Sequence, residues 1–146
     1  MNKTIGNALN HLTTPRGTDA GILLLRIAAG IMMFTHGWAK ASNYGELSAV
    51  FADPIGIGSK LSLSLIMLVE TACPILIILG LFTRPASLLL VVGMGVAAFA
   101  TNTPFSLSGS ELSLLYLLIF IALTVSGAGR YSADHYIWQH TSSVSR

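Results

Sequence analysis

Charge is scarce in this sequence. Asp, Glu, Lys and Arg make up 10% of the 146 residues, against about 25% in an ordinary soluble domain. That shortfall excludes a water-soluble globule of this size. The net charge is only +2 and basic runs are absent, so a nucleic-acid partner has no support. Cysteine is nearly missing. Cys73 stands alone, which rules out an intramolecular disulfide and any C-x-x-C dithiol. A membrane thiol oxidase carrying its own cysteine pair is thereby excluded. The sequence also lacks a haem-type histidine pair, a cysteine cluster for iron–sulfur, and a glycine-rich dinucleotide signature. No metal site is expected. What fills the chain instead is apolar: 53% hydrophobic residues and a mean hydropathy of +0.71. The length suits one compact unit.

The stretch Gly21 to Lys40, GILLLRIAAGIMMFTHGWAK, organises the rest. Its length matches the roughly 20 residues a bilayer-spanning helix needs. It is too long, and carries Arg26 too centrally, for a cleaved signal peptide. Its only charged or titratable residues are Arg26, His36 and Lys40. A cation in an apolar span costs on the order of 2.5–3.5 kcal/mol, so other helices must offset it. At about 100° per residue, Met33, Lys40, Ala29 and His36 fall near −20°, −40°, −60° and −80° from Arg26. The three basic residues share one face, with Gly30 and Gly37 beside it. Glycines there admit a close neighbour, so this face points into a bundle.

The remaining chain supplies the neighbours. Four spans are predicted, at about 20–40, 60–82, 85–101 and 111–127, between a polar N-terminal tail (1–19) and a C-terminal tail (139–146) frayed from His140. Ala41 to Ser59 is a loop in which Leu47, Val50 and Phe51 form a short interfacial helix. Glu70 lies near the centre of the second span, with Pro74 one turn on. Proline has no N–H, so the Glu70 carbonyl loses its helical partner and a kink is expected. Ser108-Gly-Ser-Glu111 has capping-box spacing and marks the fourth helix start. Tyr131, Tyr136 and Trp138 suit the headgroup level. Lys3, Arg16, Arg84, Arg130 and Arg146 collect on one side and Lys40 and Lys60 on the other. This asymmetry puts both termini in the cytoplasm. The fold class is all-α: a polytopic four-helix membrane bundle.

Arg26 lies roughly 6 Å to the cytoplasmic side of its span's centre and Glu70 within roughly 3 Å of its own, on the outer side; an extended arginine covers that difference, so antiparallel packing brings the two together near the midplane. A second layer of His36, Lys40 and Glu111 is expected toward the outer surface, with Tyr116 a turn deeper. Glu70 and His36 are the candidate catalytic groups; Arg26, His36, Lys40, Glu70, Glu111 and Tyr116 are the candidate binding residues. Plain alternatives stand beside each. Arg26 and Glu70 form an internal pair that sets register. His36 is a hydrogen-bonded interface histidine, Lys40 snorkels to the headgroups, Glu111 caps its helix, and Cys73 is packing.

The order of LLLRIAAG, HGWAK, central Glu70, GLFTR (80–84), ELSLLY (111–116) and GAGRYSADH (127–135) resembles the DoxX-like family of small bacterial membrane proteins. Ala128 stands where that family usually has proline. The resemblance implies a multi-pass inner-membrane protein associated with redox chemistry, related to the membrane subunit of a thiosulfate:quinone oxidoreductase. A bound quinone or small sulfur compound, a soluble redox enzyme as partner, and homo-oligomerisation are what it suggests beyond the lipid bilayer itself. A small-molecule or lipid transporter and a non-catalytic assembly partner are the competing readings.

Overall fold

The computed structural model describes residues 15–101 and 105–144. Among them every regular element is a helix: α1 (Pro15–Ser42), α2 (Tyr44–Val50), α3 (Ser59–Leu79), α4 (Thr83–Phe99), α5 (Leu107–Ser126) and α6 (Ala133–Val144). Helices α1, α3 and α5 are long and apolar enough to cross a bilayer. Helix α4 has 17 residues, or about 25 Å at 1.5 Å per residue. It falls short of the roughly 30 Å hydrocarbon core. The chain is a polytopic membrane bundle.

Its surface agrees. Leu24, Val92 and Leu118 are at least 60% exposed, on three different helices. An apolar girdle of that kind belongs in lipid. The interior holds Ala29 and Met33 of α1, Cys73 and Ile77 of α3, Leu90 and Met94 of α4, and Tyr116, Phe120 and Leu123 of α5. Helix α1 packs mainly on α3 and α4 mainly on α5; α3–α4 and, more lightly, α1–α5 contacts join the pairs.

Local chemistry sets the helix ends. Helix α1 opens at Pro15 rather than at residue 20, since proline suits the first helical position. Helix α3 stops at Leu79, not at 82. Gly80 takes a left-handed φ of 71°, and Leu81 and Gly80 donate back to the carbonyls of Leu76 and Ile77. That double bond is a Schellman stop. Helix α5 begins at Leu107 with Ser106 as its cap, accepting from the Gly109 N–H at 3.5 Å. The expected Ser108–Glu111 box is not formed; Glu111 lies in the second turn and is exposed. Helix α6 runs through Val144, past the expected fraying point at His140. Most of the N-terminal tail, with Lys3, and Arg146 lie outside the described residues, as do the side chains of Arg16 and Trp138.

Candidate functional site

The register of α1 against α3 decides which polar groups meet. Gly30 and Gly37 lie on the α3 side. A Cβ on Gly30 would come within 2.5 Å of the Ile78 side chain, and one on Gly37 within 2.6 Å of the Glu70 carbonyl oxygen. This is the carbonyl that Pro74 deprives of its helical N–H. Helix α3 continues through Pro74 without a break. Its bare carbonyl faces the one kind of residue that lets a second helix come this close. Glu70 therefore stands opposite Gly37, not Arg26.

Two separate polar sites result. The first surrounds Arg26, which is fully buried. Its guanidinium meets four backbone carbonyls and, among the described residues, forms no ion pair with a carboxylate. Nε donates to Ile77 (2.9 Å), Nη2 to Ile78 (3.1 Å), and Nη1 to Tyr131 (3.0 Å) and Ala128. Ile77 and Ile78 end α3, where carbonyls lack helical partners and a cation is favoured. Gly80 is needed twice here: for its φ, and because a Cβ would sit 2.5 Å from Arg26 Nη2.

The 127–135 segment completes this knot. Asp134 accepts from the N–H groups of Phe82 (3.1 Å) and Thr83 (3.4 Å), capping α4 from a distant part of the chain. That cap holds Phe82 at an unusual φ of 48° for a residue with a side chain. Asp19 in turn accepts from the Arg130 N–H at 3.1 Å.

The second site lies where all four long helices converge. Its cavity, about 120 Å³, is lined by Met33, His36 and Lys40 of α1, Glu70 of α3, Met94 and Ala97 of α4, and Leu112, Ser113 and Tyr116 of α5. Lys40 and Glu70 form an ion pair; the Glu70 side chain is 4% exposed and that of Lys40 23%. The His36 and Tyr116 rings meet edge to face at 5.7 Å, and Tyr116 stacks on Phe120 at 6.0 Å. The Tyr116 hydroxyl is buried and has no hydrogen-bond partner among the described residues. Leaving such a group unsatisfied costs about 1–3 kcal/mol.

Four of the six expected binding residues thus come together: His36, Lys40, Glu70 and Tyr116. The expected Arg26–Glu70 pair is not formed, because the Gly37–Glu70 approach, not depth counted from each span's centre, sets the register. Lys40 does not snorkel outward. Helical side chains lean toward the N-terminus, so its long stem runs back toward the level of Gly37 and Glu70. His36 packs against an aromatic ring instead of acting as a plain hydrogen-bonded histidine. Glu111 is exposed and outside the cavity.

Ser113 was not anticipated, though it precedes Tyr116 by three positions and so shares its face. Asp134 lies within the GAGRYSADH stretch, but nothing local shows its capping role, since its partners are some 50 residues away. Among the described residues no group of His, Cys, Asp and Glu could hold a metal ion.

Residues 21–103 match the sequence model of the DoxX family. The chain belongs to the DoxX family. As a DoxX protein it is similar to an uncharacterised Haemophilus influenzae protein, 36% identical over 126 residues, covering 78% of this chain and 88% of the relative. It is also similar to the Escherichia coli inner membrane protein YqjF, 28% identical with 80% and 91% covered. A Bacillus subtilis relative, CatD, provisionally named an oxidoreductase, is 28% identical with 83% and 90% covered. No solved structure significantly matches this DoxX chain.

Proposed function

We propose that this DoxX protein is the inner-membrane subunit of a redox system and takes a quinone ring into the cavity beside Lys40 and Glu70. The observation that carries this reading is the buried, unpartnered Tyr116 hydroxyl in a cavity that also holds an ion pair. A volume of about 120 Å³ is comparable with the roughly 150 Å³ engineered cavity that accepts a benzene ring. Tyr116 and Lys40 supply donors for a ring carbonyl, and Met33, Met94 and Leu112 supply apolar walls. CatD's name supports redox chemistry in a relative.

A bound quinone supplies a two-electron, two-proton acceptor. The electrons come from a soluble partner enzyme or a diffusible sulfur reductant. Tyr116 and Lys40 orient the ring by donating to its oxygens. The Lys40 ammonium holds one proton within reach, and His36 and Glu70 move replacements toward the cavity. Arg26 takes no part, because it does not line this cavity and four carbonyls hold four of its five N–H donors elsewhere. For the same reason a transport path along Arg26 and Glu70 lacks its inner charge.

The test is quinone binding to protein purified in mild detergent, measured by isothermal titration. Tyr116→Phe should weaken binding about tenfold or more, in line with the 1.4 kcal/mol or more expected for a lost buried hydrogen bond. Wild-type protein that binds no quinone, or a variant that binds it unchanged, would sink the proposal.

A further inference from the structure

A second cavity lies against the first. It occupies about 350 Å³ between α3 and α4, bounded by Leu65, Ile66 and Val69 on one side and Leu89, Gly93 and Val96 on the other. The loop after α2 roofs it with Phe51, Pro54, Ile55 and Ile57. Its lining is apolar apart from Ser62 and Thr101, and the Ser62 hydroxyl is engaged by Asp53. The roof is held in place. Asp53 accepts from the N–H groups of Ile57 (3.0 Å) and Gly58 (2.7 Å) and from Ser62 Oγ (2.8 Å). The roof covers one end of the slot, while Leu65, Leu89 and Val92 along its walls stay about half exposed toward the lipid, so a tail can enter from the bilayer.

Its position gives it meaning. Ala97 lines both cavities. On α3, Val69 lines the apolar slot and the next residue, Glu70, lines the polar cavity. On α4, Gly93 and Met94 divide in the same way. Gly93 keeps the slot open: a Cβ there would lie 2.9 Å from the tip of Ile66. A small polar chamber and a larger apolar slot with one wall in common suit an amphiphile with a compact polar head and a hydrocarbon tail.

We infer that the α3–α4 slot binds the isoprenoid tail of a membrane quinone whose ring occupies the Lys40–Glu70–Tyr116 cavity, with Ala97 at the junction. This inference rests on the quinone reading above. It makes the ligand class narrower: a tailed lipid quinone, held in preference to a water-soluble quinone with the same ring.

The experiment uses full-length protein in nanodiscs of a defined synthetic phosphatidylcholine. It measures affinity for a ubiquinone analogue with a decyl or isoprenyl tail and for its tail-less dimethoxy-methyl-benzoquinone head. The wild type should bind the tailed form at least tenfold more tightly, after correction for partitioning into the disc. Gly93→Leu and Ile66→Phe, which fill the slot, should abolish that preference while leaving head affinity within about twofold. Tyr116→Phe should weaken both ligands equally. Circular dichroism and thermal unfolding of each variant exclude misfolding as the cause. Equal wild-type affinity for the two ligands, or slot variants that keep the tail preference, overturns the slot. Slot variants that change only bound phospholipid, leaving quinone affinity intact, also overturn it and assign the slot to an acyl chain. Failure of every quinone to bind overturns the underlying reading instead.

Discussion

Gly37 rests on the peptide carbonyl of Glu70, so close that a methyl group could not be inserted between them. This contact places Glu70 within reach of Lys40 and leaves Arg26 to a different set of partners. Backbone, not side-chain charge, sets the register of the two helices.

Gly37→Ala should therefore destabilise the bundle, by about 1–3 kcal/mol as for other overpacked sites. The obstacle is backbone and cannot swing aside. Gly95, with nothing within 4 Å of a Cβ, is the control. Gly95→Ala should be neutral or gain roughly 0.5–1 kcal/mol from helix propensity. Thermal unfolding in detergent compares the two. Equal behaviour would contradict the close approach.

The Lys40–Glu70 pair should behave as a buried pair does. Lys40→Met leaves a largely buried carboxylate alone and should cost about 3–5 kcal/mol, and Lys40→Met with Glu70→Gln should recover most of that loss. The same measurement applied to a double-mutant cycle gives the coupling. A double variant as unstable as the sum of both single changes would show that the residues do not interact.

Arg26 should not tolerate lysine. An ammonium is a compact point charge and cannot span carbonyls from α3 and from the 128–131 segment as a planar fork does. Arg26→Lys should lose about 2–4 kcal/mol, or one to two charge-assisted hydrogen bonds. Protease cleavage after residue 127 should increase as that segment undocks. Wild-type protection in the variant would refute the cage.

The loop roof should loosen in acid. Bonds from Ser62 first, then from the Gly58 N–H, hold the Asp53 carboxyl below its ordinary value of 3.8. A carboxyl depressed in the folded state contributes stability above its unfolded value, and this is lost as pH falls through the folded one. Amide exchange at Ile57 and Gly58 should stay protected at neutral pH and speed up below about pH 4, beyond the intrinsic pH effect. Asp53→Asn should remove that pH dependence. A loop equally protected at pH 3 and 7 would count against it.

Basic residues predict which end faces the cytoplasm. Arg84 and Arg130 sit at the knot joining α3, α4 and α6, and Lys60 lies near the opposite end. In a Cys73→Ser background, an impermeant thiol reagent should label Ala49→Cys in intact cells. It should label Tyr136→Cys only after permeabilisation. The reverse pattern would invert the topology.

Long apolar runs on helices of 17 to 28 residues leave the backbone only one way to satisfy itself in lipid. Helices in a membrane bundle were thus legible in the sequence. So was the inward face of α1, because helical rotation alone gathers Arg26, His36 and Lys40. Which carboxylate or carbonyl each of them meets depended on helix register, and register came from contacts far apart in sequence. The Gly37–Glu70 approach set the acid at the level of Gly37, about three helical turns along α1 from Arg26. Only then did the ends of α3 and the 128–131 backbone become the guanidinium's partners. Periodicity is a property of one segment; pairing is a property of two, and only their packed distance decides it.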